Sequence, residues 1–333
     1  MQQIKSGQWL LASVLALSAP LGMAEQDEVT ADQVVTAIEG TFGVMPGERR
    51  NHIKGTCALG EFVGSPAAAA YSRSALFSGK NIPVIARLSV TGGNPKVPDT
   101  AKSARGMALE FRLPEGNLQH MTMLNTPIFG AMQPRTFLDL MIAMKPDPAT
   151  GKPDPEKIKA FKATHPDNLA QADYLAKNNP PANYSSSAFW GIHTFKFINR
   201  DKKTTLVRWQ FVPQDGEKRL SDDELKSSLP NFLEQALINR AKQGPVRWDM
   251  MVSIGEPGDP EDNPTLAWPD SRKQIKAGTL TISSAMPQKG AECEKINFDP
   301  LVMSDGIEPT NDPILLFRSQ AYAVSFSKRL GGM

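Results

Sequence analysis

Apolar positions along this chain fall into short runs whose period switches between two and about 3.6 residues. Runs rich in β-branched and aromatic residues occupy residues 84–90, 106–112, 189–198, 206–213, 249–254 and 279–284, each bounded by Gly, Pro, Asn or Asp. The stretch HTFKFIN-RDKK-TTLVRWQF reads as a hairpin, two strands about a polar turn. Helical periodicity covers residues 30–42, 135–144, 157–162 and 168–177. A further long helix is expected after the capping box Ser221-x-x-Glu224, with Pro230 starting a new turn or kinking it. Near the C-terminus Asp312 offers an N-cap and Pro313 a first helical position, and no breaker interrupts the run to Leu330. Many strands without a βαβ alternation imply an α+β chain, built as an antiparallel barrel or sandwich with inserted and flanking helices. Two Pro/Gly-rich stretches, residues 145–155 and 255–270, read as surface connections. Composition does not change across them, so residues 25–333 are expected to form a single domain.

The first 24 residues have the form of a secretory signal: Lys5, an apolar stretch over residues 9–19, and the small-x-small triplet Gly22-Met23-Ala24 before Glu25. That stretch is too short to span a bilayer and no later one is long enough, so export to the periplasm without stable membrane insertion is expected. Lys and Arg total 37 against 35 Asp and Glu, a balance that gives no reason to expect a nucleic-acid partner. The two cysteines, Cys57 and Cys293, are free to pair in an oxidising compartment, but one bridge is not a disulfide framework. CxxCH and HExxH are both absent, which removes covalent haem attachment and a common zinc signature.

Chemistry-bearing residues are few. Of four histidines, His165 sits in a THPD turn and is expected to be exposed, and His120 on a strand is expected to be structural. His193, just before a strand, is a candidate for cofactor contact. His52 follows Arg49 by three positions and precedes Gly55 and Gly60, which permit close backbone approach. In an apolar pocket its neutral imidazole is suited to take a proton from a peroxide and return it to the leaving oxygen. On the C-terminal helix Arg318, Tyr322 and Arg329 fall on one face. Positive charge beside a phenol favours the phenolate, and a tyrosinate is one recognised axial ligand of haem iron. The alternative for this stripe is a phenol packed beside surface arginines.

Taken together and in order, these residues resemble the haem catalase family, and more closely its small exported branch of catalase-related peroxidases. The matching blocks are Arg49-x-x-His52-x-Lys54-Gly55; Arg87-Leu88-Ser89 with Asp99-Thr100 and Arg105-Gly106; Asn125-Thr126-Pro127-x-Phe129 followed by Phe137; Trp190-Gly191-x-His193-Thr194-Phe195; and Phe298-Asp299-Pro300 through Asp312-Pro313, Arg318, Tyr322 and Arg329. The resemblance covers nearly everything from about residue 40 onward. It implies a catalase-like antiparallel barrel that binds b-type haem, with Tyr322 as the iron ligand and Arg318 as its charge partner. It further implies His52 as the distal acid–base, Ser89 as the group holding its ring, and Asn125 orienting bound peroxide. Arg49, Arg87 and Arg329 become propionate partners, and Phe129 and Phe137 pack around the porphyrin.

Departures from the larger family members shape the functional expectation. Only four residues follow Arg329, so the helical domain found there in larger catalases is not expected here, and Ser89-Val90-Thr91 replaces the more usual Ser-Thr-Val order. Less protein over the haem implies wider access and hence a peroxidase that reduces organic hydroperoxides, and hydrogen peroxide as well, with an external electron donor. The alternatives are a true catalase and a non-enzymatic exported barrel that binds haem or lipid. Self-association into a homo-oligomer is left open by the sequence.

Overall fold

The computed structural model describes residues 28–332, so the signal-like segment lies outside the described residues. Helix α1 (Ala31–Phe42) opens it, capped reciprocally by Thr30 and Gln33. Strand β1 (Gly55–Gly64), the short helix α2 (Pro66–Ala69), and strands β2 (Asn81–Val90), β3 (Arg105–Arg112) and β4 (Leu118–Leu124) follow. Helices α3 (Pro134–Met144), α4 (Pro155–Thr164) and α5 (Leu169–Lys177) precede β5 (Phe189–Trp190), β6 (Phe195–Ile198) and β7 (Thr204–Pro213). Helices α6 (Asp222–Ser227) and α7 (Leu233–Lys242) lead to β8 (Val246–Ile254) and β9 (Gln274–Pro287). The one-turn helix α8 (Glu292–Lys295), β10 (Ile307–Pro309) and α9 (Pro313–Leu330) end the chain.

All described pairings are antiparallel, and because β7 bonds β8 as well as β5, eight strands close into a barrel in the ring order β1-β2-β3-β4-β5-β7-β8-β9. Strands β6 and β10 extend from β7 outside that ring. Side-chain alternation sorts each strand between two environments. Ala86, Leu88, Met107, Leu109, Phe111, Met121, Met123, Trp248 and Leu280 fill the barrel core. Their neighbours Arg87, Ser89 and Thr122 therefore project from the outer surface of β2–β4, where most of the chemistry-bearing residues gather. A separate apolar layer of Val34, Ile38, Leu138 and Met141, with Phe137 and Phe317 packed against it, joins α1 and α3 to α9. Glu39 on α1 locks this layer to its surroundings by ion pairs with Arg50 at 2.6 Å and Lys328 at 2.9 Å.

Three expectations need correction. The run at residues 189–198 is not one strand: Ile192 adopts φ +52° and the His193 N–H turns back to the Gly191 carbonyl, which breaks the ladder. The long helix after Ser221 is two helices, because a residue preceding proline is pushed out of the helical region. Asp99 then starts the second helix by accepting from the N–H groups of Phe232 and Leu233. Residues 255–270 do run over the surface between β8 and β9, but they are pinned there: Asp259, Thr265 and Trp268 are buried and Arg208 donates to the carbonyls of Pro260, Asn263 and Leu266. His165 is largely covered, stacked on Phe161 at 4.4 Å and paired with Asp139 at 3.3 Å. Strand β1 carries no clear period in the sequence; it exists because β2 and β9 bond both of its edges.

Candidate active site

The distal half of the site is built on a cross-strand row in which Ser89 pairs with Gly106 and Gly106 with Leu124. His52 reaches this row from the segment before β1. Its backbone lies in the left-handed region at φ +54°, a costly conformation for a residue with a Cβ. Asn51 supports the turn, its Oδ1 accepting from the His52 and Gly92 N–H groups, both at 2.8 Å. The His52 ring shares a 2.9 Å hydrogen bond between Nδ1 and Ser89 Oγ. Room for that pair comes from Gly106, where a Cβ would stand 2.8 Å from Ser89 Oγ and 3.0 Å from the imidazole. Burial, then the charges of Arg87, Arg318 and Arg49, push the pKa of His52 down to about 3, so the ring is neutral at ordinary pH. Asn125 follows β4 directly; its Oδ1 accepts from the Arg105 N–H at 2.6 Å, while its Nδ2H₂ has no partner among the described residues.

Three guanidiniums stand beside this half. Arg87 is buried and donates to the carbonyls of His52 and Ile53 and to Gln288 Oε1. Gly55 makes its place, since a Cβ there would lie 2.4 Å from Arg87 Nη2. Arg49 spends a single nitrogen, Nη2, on the carbonyls of Cys293, Glu294 and Ile296. Arg329, half-buried, lies over the Phe326 ring at 4.6 Å. None of the three forms an ion pair among the described residues. Burial lowers the pKa of all three, that of Arg87 to about 10, and Arg49 is lowered further by the other two charges. One buried and two partly buried cations without a carboxylate partner suit an anionic ligand, and forked carboxylate recognition is the bond guanidiniums make best.

The proximal half rests on α9. Asp312 caps this helix through Oδ1, which accepts from the Ile314 and Leu315 N–H groups, while its Oδ2 meets His193 Nδ1 at 2.6 Å. His193 Nε2 lies 3.0 Å from Arg318 Nη1. A guanidinium cannot accept, so Nε2 must, which places the imidazole proton on Nδ1 facing the Asp312 carboxylate. Arg318 Nη2 then donates to Tyr322 Oη and to Thr122 Oγ1 on β4, both at 2.7 Å. A continuous chain thus runs from the buried Asp312 carboxylate to the Tyr322 hydroxyl. Phe129 and Phe137, both half-buried, stack at 6.0 Å with an 18° interplanar angle.

The sequence-derived site residues fall into these two halves and the Phe129–Phe137 pair. Sequence reading missed the role of Asp312 beyond its cap and the relay through His193; the only signal was the His193 block in the ordered set. Lys54 and Asp99 from the same blocks are structural: they pair at 2.6 Å and hold α7. His120 too is structural, bonded to Glu110 and the Asp299 carbonyl.

A family model described as Catalase matches residues 44–333. The chain is 58% identical over 329 residues to a protein of Synechococcus elongatus named catalase-related peroxidase, covering 98% of this chain and 97% of that one. A protein of the same name from Mycolicibacterium paratuberculosis is 35% identical, covering 91% and 96%. Among solved structures, catalase A from Saccharomyces cerevisiae superposes with a TM-score of 0.79 at 25% identity; 86% of this chain corresponds to 62% of that one. With the closed barrel and a match over most of its length, the chain belongs to the catalase family.

Proposed function

We propose that the protein is a haem-dependent peroxidase that reduces organic hydroperoxides, and hydrogen peroxide with them, at the expense of an external electron donor. The observation that carries this reading is the Asp312–His193–Arg318–Tyr322 chain together with a neutral, Ser89-held His52 and three guanidiniums that lack a carboxylate partner among the described residues. The donor set suits b-type haem: Arg49, Arg87 and Arg329 would take its two propionates, Tyr322 its iron, and Phe129 and Phe137 its porphyrin edge. When bound, haem supplies an iron centre that accepts two oxidising equivalents from a peroxide and passes them to a donor.

The residues of the chain perform the proton work. His52, held by Ser89, takes the proton from the inner peroxide oxygen and delivers it to the outer one, so that an alcohol or water departs rather than an alkoxide or hydroxide. The unpartnered amide of Asn125 donates to the bound peroxide and sets its orientation. Overall ROOH, two electrons and two protons give ROH and water, the electrons coming singly from two donor molecules. Preference for peroxidation is supported by the names of the two relatives that share this chain's length. Export to the periplasm belongs to the same reading, supported by the Cys57–Cys293 bond, which suits an oxidising compartment.

The test is the absorption spectrum of purified protein before and after cumene hydroperoxide, with oxidation of guaiacol and oxygen release followed in parallel. A haem spectrum that changes on hydroperoxide and recovers with guaiacol is expected. Colourless protein that takes up no added hemin removes the proposal, and oxygen release far exceeding guaiacol oxidation would replace it with the catalase reading.

A further inference from the structure

We propose that the Cys57–Cys293 disulfide positions the propionate-binding arginines, so that haem is held at full strength only while the two sulfurs are joined; this rests on the haem reading above. The bond links residues 236 positions apart. Cys57 lies on β1 as the direct cross-strand partner of Arg87. Cys293 lies in α8, a single turn of four residues, too short to persist without tertiary anchorage. Both cysteines are buried in a small apolar cluster with Ile85 and Phe298 on the outer side of the barrel wall.

Few other polar restraints hold this turn. The Arg112–Glu292 ion pair is exposed and stabilises little, and Glu294 accepts from the Gly290 N–H within the turn itself. Beside the apolar packing of Ala291 and Ile296, the polar anchor is Arg49, whose Nη2 donates to the carbonyls of Cys293, Glu294 and Ile296. The dependence runs in the other direction: those three carbonyls take one nitrogen of Arg49 and leave Nε and Nη1 without protein partners among the described residues. A guanidinium anchored at one nitrogen presents its other N–H groups at a set angle, which forked carboxylate bonding requires. The disulfide therefore fixes the acceptors, the acceptors fix Arg49, and its free edge is directed beside Arg87. Reduction by a dithiol, which gives up two electrons and two protons and closes to its own disulfide, converts the bridge to two thiols and releases α8 from β1. Full haem retention is thereby tied to an oxidising compartment.

The test measures haem release from the holoprotein to excess apomyoglobin. Cys57→Ala/Cys293→Ala is expected to release haem about tenfold faster, the scale of one weakened charged hydrogen bond. In an Arg49→Lys background the same double substitution should add little, because both changes act through one contact. Unchanged release, a faster rate that multiplies with Arg49→Lys, or a lowered melting temperature with unchanged release each overturns the proposal. If the double variant does not fold, wild-type holoprotein reduced with dithiothreitol and alkylated is read by the same criteria. Protein that binds no haem at all removes the functional reading instead, whereas bound haem with bridge-independent release removes only the role of the disulfide.

Discussion

Replacing Asp312 with Asn exchanges one oxygen for an NH₂ group at the buried start of α9 and tests the chain that reaches Tyr322. Asp312 uses both oxygens as acceptors: Oδ1 for the Ile314 and Leu315 N–H groups, Oδ2 for the His193 Nδ1–H. An amide satisfies only one side. With its oxygen on the helix, its NH₂ faces His193 Nδ1, the imidazole proton moves to Nε2, and that N–H points at Arg318 Nη1 from 3.0 Å, donor against donor. With its oxygen turned to His193, its NH₂ faces two backbone N–H groups and the cap is lost, at about 0.5–2 kcal/mol. The first orientation gives up a charge-assisted bond of about 1.5–3 kcal/mol. The cheaper arrangement sets the cost, so about 0.5–2 kcal/mol of stability should go, a melting-temperature fall of about 1–3 °C at this size. Asp312→Ala loses both functions and should fall further. Thermal unfolding by circular dichroism measures the loss, and the ferric absorption spectrum reports whether Arg318 has left Tyr322. An Asp312→Asn protein that melts with wild type refutes the reasoning, since both orientations carry a penalty.

Four further outcomes are expected. His52→Gln should slow reaction with cumene hydroperoxide by about 10²–10⁴-fold in stopped flow while leaving haem bound, the range for loss of a positioned acid–base. Because His52 has a folded pKa of about 3 against 6.5 unfolded, the unfolded chain binds the extra proton between those values. Its contribution is complete above about pH 6.5 and is lost as pH falls toward 3, about 2 kcal/mol of it between pH 7 and 5; urea unfolding should show a pH dependence smaller by that amount in His52→Gln. Gly106→Ala, which places a methyl 2.8 Å from Ser89 Oγ and 3.0 Å from the His52 ring, should cost about 10²-fold in the same reaction through misplacement of the imidazole. Tyr322→Phe should lose haem or bind it with an altered ferric spectrum, and an unchanged spectrum would remove Tyr322 as the ligand.

Much of this was legible locally. The helix from Pro313 to Leu330, with its Asp312 cap and its stripe of Arg318, Tyr322 and Arg329, follows from a 3.6-residue period and from side chains that act within one turn. The strands of the barrel were legible wherever alternation was strong, as at β2 and β3, and so was the grouping of Arg87 with Ser89 on one surface. The ordered blocks carried the rest of the candidate site as a resemblance. The tertiary structure alone decided barrel closure through β7 and β8, the existence of β1, and the division of the run around His193 into two strands. It alone joined His193 to Asp312 across 119 positions and bridged Cys57 to Cys293 across 236. The division has one physical cause. Capping, periodicity and turn chemistry act over a few residues and leave their mark on the sequence, whereas a hydrogen bond or a strand pairing between distant segments depends on where the barrel closes, which no local pattern encodes.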